Sequence, residues 1–179
     1  PGMHKLEISP DGSRVTFLRG RPDDRFRQDL WEYNLKDKRT RRLVDSSLLV
    51  PKEVLSEDEK SRRERARTAE LSGILDYSWS PDGKQLLVPI AGDLFLLDVA
   101  RPEAARKVAS GSAGDPQISP KGRYLSFVRD QNLFVIELAT GVEKQLTSDG
   151  AGTVHNGEAE FIAQEEMGQS SGYYWAPDD

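Results

Sequence analysis

Two adjacent carboxylates in a stretch without a base are the residues of this chain best suited to chemistry. Glu165 and Glu166 lie in the segment 156–167, which holds four glutamates and neither lysine nor arginine. No Lys or Arg follows Lys144, while seven acids do: Asp149, Glu158, Glu160, Glu165, Glu166, Asp178 and Asp179. Such a field suits a cationic ligand, and an ammonium above all. Each charge-assisted hydrogen bond to it is worth roughly 1.5–3 kcal/mol. Neighbouring side chains on a regular helix point about 100° apart. Two readings therefore stand: a solvated helix face, or a short or irregular helix whose two glutamates converge on one ligand. Calcium would need a cage of about six to eight oxygens, and the spacing does not show one.

Other patterns carry less chemistry. Gly168-Gln169-Ser170-Ser171-Gly172 matches the G-x-S-x-G nucleophile elbow, but that elbow needs a strand before it and a helix after it. Here a helix is expected before it, and no histidine follows Ser170 to complete a triad. The match reads as coincidence. Gly150-Ala151-Gly152 lacks the third glycine of a dinucleotide loop and reads as a linker. Cysteine is absent, and His4 and His155 are the two imidazoles, so thiolate and histidine-rich metal sites are excluded. No catalytic residue, metal or cofactor is expected within this stretch. A further cluster is basic: Ser56 and Glu59 form a capping box, followed by Arg62, Arg63, Arg65 and Arg67. Acids open this predicted helix and arginines close it, as the helix dipole favours. With almost no apolar stripe, the helix is expected to project from the body and to be comparatively mobile.

The elements that must position these residues announce themselves by repetition. One phrase recurs as Ile8-Ser9-Pro10-Asp11-Gly12, Trp79-Ser80-Pro81-Asp82-Gly83, Ile118-Ser119-Pro120-Lys121-Gly122 and, incompletely, Trp175-Ala176-Pro177-Asp178. Proline presets the first corner of a turn, and glycine accepts the positive φ that returns the chain as a hairpin. Alternating segments follow at Val15–Phe17, Leu86–Val88 and Tyr124–Phe127. Third strands are expected at Asp29–Leu35, Asp93–Val99 and Asn132–Leu138. After short turns, including Ala100–Pro102, fourth strands are expected at Arg41–Val44, Arg106–Ala109 and Glu143–Leu146. Four antiparallel strands per roughly 40-residue repeat is the signature of a β-propeller blade; a generic antiparallel sandwich is the alternative.

The repeated prolines at 10, 81, 120 and 177 are spaced by 71, 39 and 57 residues, so two inserts lengthen the first and third repeats. The expected organisation is blade 1 at 1–49, an arginine-rich helical insert at 50–72, blade 2 at 73–115, blade 3 at 116–152, a Glu-Glu helical insert at 153–172 and the start of blade 4 at 173–179. The fold class is all-β, a partial propeller of four-stranded antiparallel blades with two helical inserts. Propellers usually close with about four to eight blades, so the chain is expected to be a fragment of a larger ring.

The 179 residues carry a net charge of −5, with 25 basic and 30 acidic groups, and this balance disfavours a nucleic-acid partner. No run approaches the ~20 apolar residues that span a bilayer, so no membrane span is expected.

Taken together, Asn156-Gly157, Glu160-Phe161-Ile162-Ala163-Gln164-Glu165-Glu166-Met167 and Gly172-Tyr173-Tyr174-Trp175-Ala176-Pro177-Asp178 resemble the glutamate-pair helix and following blade of the dipeptidyl peptidase IV family. The arginine-rich segment resembles the helix inserted in bacterial and cytosolic members. The resemblance implies an eight-bladed propeller followed by an α/β-hydrolase domain bearing the serine, aspartate and histidine. It further implies a homodimer and a bacterial periplasmic location, with the cytoplasm as the alternative. Glu165 and Glu166 would then bind the free α-ammonium of a peptide substrate, so that the enzyme releases N-terminal dipeptides after proline or alanine. An arginine reaching the peptide carbonyl is also implied, with Arg63 the first candidate and Arg21 its competitor. Gln164 stands where some relatives carry a third acid. The rival class is a non-enzymatic TolB-like propeller that binds protein partners.

Overall fold

A computed structural model of the chain describes residues 2–169 and 171–179. It contains three antiparallel sheets. The first runs β1 (Met3–Ile8), β2 (Arg14–Gly20), β3 (Arg27–Asn34) and β4 (Arg39–Val44), with β5 (Ser72–Gly73) added in parallel to β3. Between β4 and β5 lie α1 (Ser46–Leu49) and α2 (Glu57–Arg65). The second sheet is β6 (Ser78–Trp79), β7 (Gln85–Ile90), β8 (Asp93–Asp98) and β9 (Arg101–Ala109). The third is β10 (Gly114–Ile118), β11 (Tyr124–Arg129), β12 (Asn132–Glu137) and β13 (Glu143–Gln145), followed by α3 (Phe161–Met167). Each sheet is a meander in chain order, which is the blade of a propeller. The chain forms two compact units, residues 1–108 and 109–179.

In the first unit, period-two alternation sends Leu18 and Leu30 into one core with Ile74, Tyr77, Leu86, Val88, Ile90 and Leu97. Each aliphatic side chain buried this way contributes roughly 1.5–3 kcal/mol. In the second unit Leu125 opposes Ile136, and Phe127 opposes Phe134, across β11 and β12. The two phenylalanine rings stack with centroids 5.6 Å apart.

The repeated turns are built around their serine. Gly12 and Gly83 both have φ of +69°, and their amides donate to the carbonyls of Ser9 and Ser80. The buried Ser9 hydroxyl donates to Asp11 Oδ1 at 2.6 Å and accepts from the Arg14 amide, and Ser80 does the same with Asp82 and Gln85. Asp11 Oδ1 also accepts the Ser13 amide and hydroxyl. The Ser9 hydroxyl, then the Ser13 amide and hydroxyl, hold the Asp11 carboxyl down to about 2. Ser80 and the Lys84 amide lower Asp82 in the same way. A depressed carboxylate stabilises the fold fully above its unfolded value near ~4, and that contribution is lost as pH falls through the folded value. Asp11→Asn, which keeps an acceptor but cannot titrate, should therefore flatten the pH dependence of stability below about pH 4. Urea titrations of wild type and variant at successive acid pH values would check this. Parallel curves would show that Asp11 is not the titrating group.

The turn expected at Ala100–Pro102 is tighter than the sequence suggests, because β9 already starts at Arg101. The Asp98 carboxylate accepts the Ala100 amide at 2.9 Å and closes the chain early. Helix α1 was not expected; Asp45 caps it by accepting the Ser47 amide.

A second repeated device joins the first and third sheets to the segments that follow them. Tyr77 donates its hydroxyl to the Lys5 carbonyl at 2.7 Å, and Trp79 Nε1 donates to Thr16 Oγ1 at 3.3 Å. In the other unit Tyr173 donates to the Asp115 carbonyl at 2.8 Å, and Trp175 Nε1 donates to Ser126 Oγ at 2.9 Å. Lys5 and Asp115 occupy equivalent irregularities in the first strand of their sheets, with φ of +47° and +46°. Burial pushes the phenol pKa of both tyrosines upward. Residues 173–179, expected to open a fourth blade, form no strand among the described residues and lie against the third sheet through this pairing and the stacking of Trp175 on Tyr124.

Candidate functional site

Helix α3 carries the glutamate pair, and it is short. Glu160 precedes it with extended backbone and no side-chain cap, while Gly168 ends it in the left-handed conformation. Gln164 turns back to donate to the Ala159 carbonyl at 2.6 Å, so it braces the start of the helix. None of the helix residues is buried, and Phe161, Ile162 and Met167 are exposed. A helix of this length is not stable by propensity alone. Its placement must come from the segments on either side.

Those segments form a paired stem. Glu158 and Ser171 make an isolated antiparallel bridge, and the Gly172 amide donates to the Gly157 carbonyl at 3.0 Å. Gly157 has φ of +81°, and a Cβ there would stand 2.9 Å from Val128 Cγ2. A Cβ on Gly172 would fall 2.4 Å from the Glu158 carbonyl oxygen. Both positions therefore admit only glycine without rearrangement. On the far side Ser171 Oγ accepts from Gln117 Nε2 at 2.7 Å.

Glu165 and Glu166 project from this stem into solvent. Among the described residues neither has an intramolecular ion pair or hydrogen bond. Asp29 and Glu32, by contrast, are buried and each is held by two arginines, whereas Asp58, Glu64 and Glu70 are exposed like the pair and without an ion pair among the described residues. Two adjacent acids thus stand without a cation among the described residues.

Arg63 lies elsewhere, in the other compact unit, and its guanidinium is already engaged. It is 5% exposed, with Nε donating to Glu59 at 3.0 Å, Nη1 to the Leu71 carbonyl at 3.0 Å and Nη2 to Glu53 at 2.8 Å. Glu53 also accepts the Gly73 amide, and Gly73 sits in β5 against β3. Helix α2, expected to project, is thus tied to the first sheet by a polar latch in place of an apolar stripe. Arg63→Lys keeps the charge but loses the planar fork. Removing one or two of these bonds at about 1–3 kcal/mol each should speed amide exchange across 57–73 by ten- to a hundredfold, while β2 and β3 exchange as before. Unchanged exchange would mean that the latch does not hold the helix. Arg21, the competitor, is bound by Asp29 through Nε and Nη2, both at 2.9 Å, and also by Asp45 and Ser46. Arg65 and Arg67, by contrast, are exposed and their guanidinium groups have no partner among the described residues.

Ser170 lies outside the described residues. Asp149 stands among the seven acids, and Asn156 and Tyr173 in the family motif, but nothing in the sequence assigns them or Asn132 a part in holding the stem. The one available signal was Asn132 at the position that Asp29 and Asp93 occupy in the other two repeats.

The stem, the helix and the third sheet fall inside a recognised sequence family: residues 80–179 match the Dipeptidyl peptidase IV (DPP IV) N-terminal region. The chain belongs to the dipeptidyl peptidase IV family. Similar proteins include dipeptidyl aminopeptidase A of Saccharomyces cerevisiae, 37% identical over 62 residues, covering 34% of this chain and 7% of the relative. A probable dipeptidyl peptidase 4 of Aspergillus fumigatus is 31% identical over 134 residues, covering 73% of this chain and 16% of the relative. The chain thus spans a small fraction of the length of these family members. Among solved structures, dipeptidyl peptidase 4 of Porphyromonas gingivalis shares the fold with a TM-score of 0.60 at 21% identity, over 94% of this chain and 23% of that one. The tricorn protease gives a TM-score of 0.56 at 11% identity, over 82% of this chain and 13% of that one. These likenesses support a partial all-β propeller of the dipeptidyl peptidase family, and nothing among them favours the TolB-like alternative.

Proposed function

We propose that this chain is the propeller portion of a serine peptidase that releases dipeptides from the free amino end of peptides, after proline or alanine, and that Glu165 and Glu166 anchor the substrate's α-ammonium. The observation that carries this reading is the pair of exposed, unpaired carboxylates on a helix whose stem permits only glycine at two places. An α-ammonium has a reference pKa near ~7.7–8.0 and is largely charged at neutral pH. Anchoring it measures a fixed length of peptide, so the bond after the second residue is presented to a distant nucleophile. In this reading the catalytic serine, aspartate and histidine belong to an α/β-hydrolase domain of the parent protein, Ser170 takes no part, and the parent is a periplasmic homodimer.

The resemblance also calls for an arginine on the substrate carbonyl. Arg63 would serve only by giving up its latch to Glu53 and Glu59. Arg65 and Arg67 have no side-chain partner among the described residues, so an Arg63→Ala variant and an Arg65→Ala, Arg67→Ala pair separate the two routes.

The test is hydrolysis of a chromogenic Gly-Pro substrate by the full-length protein, with the amino terminus free or acetylated. The free substrate should release dipeptide, and acetylation should lower kcat/KM by at least about tenfold. Equal hydrolysis of both would overturn the anchor, and no dipeptide from either would overturn the activity.

A further inference from the structure

We infer that Asn132 is the positioning residue for the glutamate pair, acting through the incoming arm of the stem without touching the substrate. This rests on the amine-anchor reading above.

Asn132 opens β12 at the tip of the β11–β12 hairpin, where Asp130 and Gln131 turn the chain with φ of +49° and +59°. It is 7% exposed. Its Oδ1 collects three donors: Thr147 Oγ1 at 3.1 Å, the Gly150 amide at 3.0 Å and Asn156 Nδ2 at 3.3 Å. Its Nδ2 donates to the Asp130 carbonyl at 2.9 Å. One buried amide therefore ties the hairpin tip to three points of the segment that leads from β13 into the stem. The backbone of the tip adds a fourth tie, since the Gln131 carbonyl accepts the Asn156 amide at 3.0 Å. Gly150 is pressed so closely on this tip that a Cβ would stand 2.1 Å from the Gln131 carbonyl oxygen.

The step from Asn132 to the glutamates is short. Asn156 adjoins Gly157 and Glu158, which pair with Gly172 and Ser171, and α3 spans the gap between those two strands of the stem. Because α3 buries no residue, it has no packing of its own to correct an error in the stem. A displaced arm becomes a displaced carboxylate pair.

The choice of amide over acid is also explained. Asp29 and Asp93 occupy the equivalent place in the other two sheets, where arginines or a lysine face them. At Asn132 the neighbours are a backbone carbonyl, which needs a donor, and Asn156 Nδ2, which also donates to Asp149 at 2.9 Å. A carboxylate would lose the first bond and repel Asp149.

The experiment uses the full-length enzyme with free and N-acetylated Gly-Pro substrates. Asn132→Ala should raise KM for the free substrate about tenfold with kcat within about twofold, and should leave kcat/KM for the acetylated substrate within about twofold. Amide exchange should quicken across 156–172 while β11 and β12 keep their protection. Asn132→Asp should behave the same way. If Asn132→Ala fails to fold, Asn156→Ala cuts one of the three ties and should show the same split at several-fold size. Equal losses on both substrates would make Asn132 a general stability residue and overturn the inference, as would no loss on either. Glu165→Gln run alongside separates the two ideas. A free-amine loss there with none in Asn132→Ala sinks the positioning role alone, whereas no free-amine loss in Glu165→Gln sinks the anchor and this inference with it.

Discussion

Glu165→Gln or Glu166→Gln in the full-length enzyme is expected to lower kcat/KM for a free-amine dipeptide substrate by about ten- to a hundredfold, with little change in folded population. The magnitude follows from one charge-assisted hydrogen bond of roughly 1.5–3 kcal/mol lost per substitution. Both side chains are exposed and neither bonds to another of the described residues, so glutamine leaves no buried group unsatisfied. The ammonium is remote from the scissile bond. The loss should therefore depend on its charge: an acetylated substrate, already poor, should scarcely notice either substitution. Above about pH 8 the amine itself loses its proton, so the gap between wild type and variant should narrow. A cycle of two enzymes against two substrates at two pH values reads all of this. If free and acetylated substrates lose the same factor, the glutamates act through structure and the anchor fails.

Asp29→Ala is expected to cost about 3–5 kcal/mol of stability, the usual penalty for removing one member of a buried ion pair. Asp29 is fully buried at the start of β3. It receives Arg21 twice at 2.9 Å, Arg42 at 3.2 Å and the Ser46 amide at 2.8 Å. Its removal strands a half-covered guanidinium and a buried amide together, and no water-sized polar substitute comes with alanine. Urea unfolding should show the midpoint fall with the slope preserved. A change below about 1 kcal/mol would mean that Arg21 finds Asp45 sufficient.

The blades were legible because their signals are local. Pro10-Asp11-Gly12 and Pro81-Asp82-Gly83 state a turn in consecutive residues, and Leu86 to Val88 and Tyr124 to Phe127 state the strands beside them. The glutamate pair was legible as a charge anomaly in a stretch without bases. What could not be read were the distant pairings. Nothing near Arg63 in the chain announces that Glu53 and the Leu71 carbonyl will enclose it, so a helix without an apolar stripe looked unattached. Asn132 likewise looks like one more strand residue until the fold brings Thr147, Gly150 and Asn156 to its oxygen. Tyr77 and Tyr173, each two residues before a tryptophan, carried a repeat that the turn phrase overshadowed.

That tyrosine and tryptophan device means that the unit of inheritance and exchange in this propeller is offset from the unit seen as a sheet. The first and third sheets are each completed by side chains encoded after their own last strand, as roof tiles are pinned by the row above. Swapping the first sheet between relatives with a junction just before Ser80 keeps Tyr77 and Trp79 with the Lys5 carbonyl and the Thr16 hydroxyl that receive them. A junction placed upstream of Tyr77, within the loop after Gly73, separates the pair from Lys5 and Thr16 and sets a foreign Tyr-x-Trp pair on a host carbonyl and hydroxyl. Compatibility between neighbouring sheets should accordingly be decided at two contacts, one carbonyl and one hydroxyl, before any other difference in their sequences is felt.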